Sequence, residues 1–203
     1  MPAERLERWF ENFATRHGEP QLVVRQGRLC AAAPDGAVAE AALPWGREYD
    51  GQADVGLFRD AAQAPVGWGV LLVRKGGFAV ARGTTSEPEA TKVGQRHVQG
   101  RTKAGGQSQQ RFARRRDNQA RQAYEAAGEH AHRVLVLEAG RRLDALVCGG
   151  DRTAVEAVLS DPRLARVADR RTGPWLAVAD PRRSVLEQAV ADAWSAPVTV
   201  TDV

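Results

Sequence analysis

An α/β fold is the expectation for this 203-residue chain, and three observations carry it. From residue 66 onward, apolar runs of strand length alternate with segments whose apolar residues recur at helical spacing, the rhythm of a sheet with helices packed on it. Apolar residues make up 43% of the sequence, within the globular range, so a buried core rather than a disordered basic tail is expected. The first 60 residues read differently, as a helix followed by a small β-meander. At this length one domain, residues 1–203, is expected, with residues 1–60 as an N-terminal elaboration.

The elements follow in order. Residues 4–16 place Leu6, Trp9, Phe10 and Phe13 on one stripe of a helix. Short β-prone runs at 21–25, 28–33 and 37–43 are separated by the turn formers Gln26-Gly27 and Pro34-Asp35-Gly36. A loop containing Gly46, Gly51 and Gly56 leads to the apolar run 66–73, which turns at Lys75-Gly76-Gly77 into residues 78–82. That is a β-hairpin. From 84 to 107 the composition turns polar, and an edge strand running into a mobile loop is expected. Helical spacing resumes at Ser108 and holds to about His130, with Phe112, Ala113, Ala120, Ala123, Tyr124 and Ala127 able to face the body. Strands are expected at 132–137, 143–148 and 174–179, helices at 152–159 and 184–194, and an edge pairing at 198–203.

Charge singles out one region. The chain carries 29 basic and 25 acidic side chains, a net of +4. Residues 92–122 hold Lys92, Arg96, Arg101, Lys103, Arg111, Arg114, Arg115, Arg116 and Arg121 against Asp117 alone, a local +8, so the remainder is −4. Such a concentrated basic projection is the electrostatic footprint of a protein that meets a polyanion, and nucleic acid is the favoured one. Those nine side chains are the expected RNA contacts. Within the segment, Gly105, Gly106 and Gln107 form a tip just ahead of the arginine-rich stretch. Two adjacent glycines let backbone approach a crowded centre, and the flanking cations can hold phosphates at the base of the tip.

Other chemistry is poorly represented. Cys30 and Cys148 are isolated, without metal-ligand or disulfide spacing, and read as buried thiols. His97, His130 and His132 have no nucleophile motif beside them. Asp144, Asp151 and Asp180 sit near expected strand ends, where caps are commoner than nuclease carboxylates. Trp9, Phe10, Trp68, Phe78, Trp175 and Trp194 stand in apolar contexts and read as core. No metal or cofactor is expected. No apolar run reaches spanning length and residues 1–7 lack a secretory layout, so a cytoplasmic protein without a membrane partner is expected.

A bare Gly-Gly-Gln is a weak signal, arising by chance in roughly one such chain in ten, and its context carries more. Residues 103–116 resemble the loop and helix of the eukaryotic and archaeal class I peptide-chain release factors, matching at Gly105, Gly106, Gln107, Ser108, Arg111, Phe112, Ala113, Arg114 and Arg116. Weaker similarity runs from the hairpin at 67–83 through the turn at 145–151, in the order of that family's middle domain. The resemblance implies a mixed sheet flanked by helices. It also implies that Gly105, Gly106 and Gln107 enter the peptidyl-transferase centre and promote hydrolysis of the peptidyl-tRNA ester, without a cofactor. Departures occur at Lys103-Ala104, Gln109-Gln110 and Arg115, none within the tripeptide. There is no room for separate stop-codon-reading and GTPase-partner domains, so the resemblance narrows to the release-factor-like hydrolase domain of ribosome-associated quality control. The implied partners are the large ribosomal subunit, its ribosomal RNA and peptidyl-tRNA, met by a monomer. A noncatalytic ribosome- or RNA-binding module remains the alternative.

Overall fold

The computed structural model describes residues 1–95, 107–137 and 142–202, and for 107–118 the backbone. In chain order its first elements are α1 (Leu6–His17), β1 (Gln21–Arg25), β2 (Arg28–Ala32), β3 (Val38–Ala42) and α2 (Val55–Gln63). Then come β4 (Trp68–Arg74), β5 (Gly77–Gly83), β6 (Pro88–Gln95) and α3 (Gln107–His132). The series closes with β7 (Ala145–Gly150), α4 (Arg152–Leu159), α5 (Ala165–Ala168), α6 (Arg183–Ala193) and β8 (Val198–Thr201). Two compact units result, one of residues 1–66 with 190–203, the other of residues 67–189.

In the first unit the strands form one antiparallel sheet in the order β1-β2-β3-β8. Gln26 and Gly27 both take positive φ, 49° and 70°, which is what a two-residue hairpin matched to strand twist requires. Alternation along β2 and β3 turns Leu29, Ala31, Ala39 and Ala41 inward, where they meet Leu6, Phe10 and Phe13 of α1 and Phe58 and Ala62 of α2. The loop expected around Gly56 is in fact the start of α2. Asp54 caps it by accepting a hydrogen bond from the Leu57 N–H at 2.8 Å, and Arg47 donates to the Ala61 and Ala62 carbonyls at its other end. The late residues return to this unit: β8 pairs with β3, the Met1 amine donates to the Ala196 carbonyl at 2.8 Å, and Trp194 meets Trp45 edge-on.

The second unit is built on a mixed sheet in the order β6-β5-β4-β7, in which β7 runs parallel to β4 and the other pairs are antiparallel. Central strands β4 and β5 are buried on both faces, which explains the unbroken apolar run around Val70-Leu-Leu-Val73. Leu71, Val73, Phe78 and Val80 share a core with Ala127 and Ala131 of α3 and with Val155 and Val158 of α4. Gly150 ends β7 at φ 95°, where a Cβ would lie 2.3 Å from the Val73 carbonyl oxygen. Asp151 then caps α4 through the Thr153 and Ala154 N–H groups.

Two expected strands are absent. Arg133–Leu137 continues α3 as a π-helical turn, with Val134 and Leu135 both buried; its β-prone residues are overruled by the core that they fill. Residues 174–179 make no full strand, because Pro174 has no N–H to offer. Only single bridges, Leu146 to Arg171 and Gly149 to Leu176, run alongside β7.

Candidate functional site

The basic segment is anchored by β6 on one side and α3 on the other. Lys92 is exposed on β6 and Arg121 is exposed on α3. Arg111, Arg114, Arg115 and Arg116 all lie along α3, and Gln107 is the first residue of that helix. Gly105, Gly106, Arg96, Arg101 and Lys103 lie outside the described residues. With 26 residues, α3 is about 39 Å long. Its first turn holds backbone N–H groups without intrahelical partners, at the positive end of the helix dipole.

The far end of α3 is fixed by several unlike contacts. Glu129 accepts from Arg163 Nη1 at 2.8 Å, and the same guanidinium is held by Asp161 at 2.7 Å. This cation keeps the Asp161 carboxyl down at about 2. Fully buried Arg82 on β5 donates to the Leu135 carbonyl at 3.4 Å, just past the helix. His130 stacks on Phe78 with centroids 5.2 Å apart. Burial, followed by the nearby charges of Lys92 and Arg133, lowers the His130 pKa, so the ring is neutral over most of the physiological range. Gly94 makes the Phe78 position possible: a Cβ there would lie 2.3 Å from Phe78 Cε1.

Beneath this end of α3 lies a cavity of about 280 Å³. Its apolar wall includes Val73, Phe78 and Ala127, while Lys92, Tyr124 and His130 supply polar groups. Burial raises the Tyr124 pKa, with a smaller contribution from Asp151, so the phenol stays protonated. Phe78 and Tyr124 are each expected against the body, but no local pattern joins them, since the lining comes from β4, β5, β6 and α3. A glycine facing an aromatic across an edge pair was the available signal.

The remaining candidates have structural work. Asp144 Oδ2 accepts from the Gly67 N–H at 3.0 Å, Asp151 caps α4, and Asp180 approaches Arg74 at 4.0 Å. Among the described residues, no group of three or more His, Cys, Asp or Glu side chains is placed to hold a metal ion. Both cysteines are buried thiols, and burial pushes Cys148 up to about 12. Among the described residues no helix is long and apolar enough to cross a membrane. Charge divides unevenly: the first unit has 7 basic and 12 acidic residues, a net of −5, and the second has 22 and 13, a net of +9.

This mixed α/β unit is release-factor-like, as one family comparison shows. A family profile described as Actinobacteria/chloroflexi VLRF1 release factor matches residues 67–199. The chain belongs to this family, and a release-factor-type role follows from that membership. Among solved structures it is similar to the crystal structure of the archaeal translation termination factor aRF1, at 16% identity and a TM-score of 0.45, covering 80% of this chain and 48% of that one. It is also similar to an archaeal protein at 14% identity and a TM-score of 0.40, covering 78% and 48%. The chain thus spans about half the length of these two structures. No curated protein sequence matches it.

Proposed function

We propose that this protein is a codon-independent peptidyl-tRNA hydrolase that frees nascent chains from stalled or obstructed large ribosomal subunits. The observation that carries the reading is the position of Gly105-Gly106-Gln107, which runs directly into the head of α3. Lys92, Arg96, Arg101, Lys103, Arg111, Arg114, Arg115, Arg116 and Arg121 hold ribosomal RNA along the basic segment, and Gly105, Gly106 and Gln107 enter the peptidyl-transferase centre. The protein works as a monomer, in the cytoplasm with its ribosomal partner.

The chemistry requires little from the chain itself. When water attacks the ester, negative charge develops on the carbonyl oxygen and on the departing ribose oxygen. The Gln107 backbone N–H, at the positive end of α3, stabilises that charge. One such donor is worth about 3 to 4 kcal/mol. The Gln107 side chain positions water or limits its access, and Gly105 and Gly106 allow the close fit.

The test is release of labelled peptide from peptidyl-tRNA on isolated large subunits, with subunit binding followed in parallel. Wild type is expected to release peptide. Because the stabilising donor is a backbone N–H, Gln107→Ala should keep part of the activity, whereas Gly106→Val should bind but release nothing. Equal full activity in both variants refutes the mechanism. Tight binding without release by wild type means a docking module instead.

A further inference from the structure

We propose that the cavity beneath the far end of α3 binds one unpaired nucleotide of RNA, with Tyr124 and His130 meeting the base and Lys92 the phosphate. The release-factor reading enters only in taking RNA as the polyanion.

Size limits the ligand first. About 280 Å³ lies at the lower edge of small-ligand sites, roughly 300 to 1,000 Å³, so it suits a single nucleotide and excludes a helix. The lining then sets its chemistry. Cavities that stay empty are apolar, whereas Arg74, Lys92, Gln95, Tyr124 and His130 all line this one beside its apolar wall. Among the described residues Lys92 has no carboxylate partner, and the Tyr124 hydroxyl has no hydrogen-bond partner. A neutral His130 offers one donor and one acceptor, as reading a base edge requires, and its ring is already half of an aromatic stack with Phe78. Unpaired bases bind proteins in this way, by stacking on aromatic rings with polar contacts at their edges. The surrounding unit, at net +9, favours a nucleic acid over an acidic or neutral peptide.

Place in the fold gives the site a use. Residues 123–130 follow Gln107 by 16 to 23 positions along α3, or roughly 25 to 35 Å at the helical rise. A nucleotide held there is distinct from any that meets the tip, so the helix is gripped at both ends. Cross-strand neighbours Phe78 and Gly94 keep the space open, because a side chain at 94 would drive the aromatic ring out of place.

The test uses backbone amide NMR on the full chain, titrated with a five-nucleotide oligo(A) RNA, with AMP and with inorganic pyrophosphate. The RNA should shift the Gly77, Gly94, Ala123 and Ala127 amides. Lys92→Glu should weaken it at least tenfold, and so should Ala123→Trp, which fills the space without altering charge. Ala123→Trp should leave RNA-induced shifts at the head of α3 in place, and the unchanged spectrum elsewhere verifies its fold. Shifts confined to residues 107–121, or the same cavity shifts from pyrophosphate, would overturn the proposal. Binding of AMP without the oligonucleotide would also overturn it, identifying a free-nucleotide site. Gly106→Val should keep the cavity shifts, and a wild-type chain that binds RNA here yet releases no peptide defeats the hydrolase reading alone.

Discussion

Alanine substitutions at Val134, Leu135 and Leu137 separate a helical continuation of α3 from a β-strand. In a strand, Leu135 and Leu137 share one face and Val134 takes the other. In the π-helical turn, Val134 is 3% exposed and Leu135 2%, while Leu137 is 67% exposed. Leu135 also fills space that Gly69 provides, since a Cβ there would lie 2.9 Å from Leu135 Cδ2. Leu135→Ala should therefore cost about 3 kcal/mol, from lost transfer energy and the cavity left behind. Val134→Ala loses less apolar volume and should cost about 2 kcal/mol. Leu137→Ala should stay within about 0.5 kcal/mol of wild type. At about 2 to 4 °C per kcal/mol for a chain of this size, calorimetry should show Tm falling by about 6 to 12 °C for Leu135→Ala and barely moving for Leu137→Ala. Similar large losses at 135 and 137, with little at 134, would refute the helical turn.

Three further outcomes are expected. Asp161 titrates lower in the folded protein than in the unfolded chain, so its pairing with Arg163 contributes fully above about pH 4 and is lost as pH falls toward 2. The Tm difference between wild type and Arg163→Ala should shrink over that window, and a constant difference would show the pair to be irrelevant. Cys148, buried with a thiol near 12, should ignore a disulfide reagent in the native protein at pH 8 and react on unfolding; rapid native labelling would contradict its placement. Arg121→Ala should lower the slope of log affinity for single-stranded RNA against log salt by about 0.7, and an unchanged slope would remove this residue from the phosphate contacts.

Several elements were legible because local pattern and burial agree. Leu6, Phe10 and Phe13 recur at helical spacing and are buried together. The hairpin of β4 and β5 announced itself through an apolar run with Lys75-Gly76 at its turn, and the paired register from Trp68 to Gly83 follows. Helix α2 was hidden by the glycines around it, although Asp54 with Leu57, Phe58, Ala61 and Ala62 behind it had both cap and stripe. Residues 133–137 misled because β propensity describes a pleated, half-buried setting, and these residues found the end of a helix instead. The family was recognisable from a contiguous motif next to Gln107. The cavity was not, since Phe78, Lys92, Tyr124 and His130 become neighbours only when three elements assemble, and no local spacing encodes that.

The pairing of β8 with β3 also sets an order of events during synthesis. Ala41 and Val198 are partners although they lie 157 positions apart, so the first sheet lacks an edge strand until synthesis has passed residue 198. Residues 1–66 emerge ahead of β4 and wait, whereas β4 through β7 can assemble from one continuous stretch. Distant pairings close late because the intervening loop must be ordered before the contact repays it. The acidic unit is therefore completed after the basic one, and a chain that is cut short before residue 198 carries an open strand edge of the kind that invites aggregation.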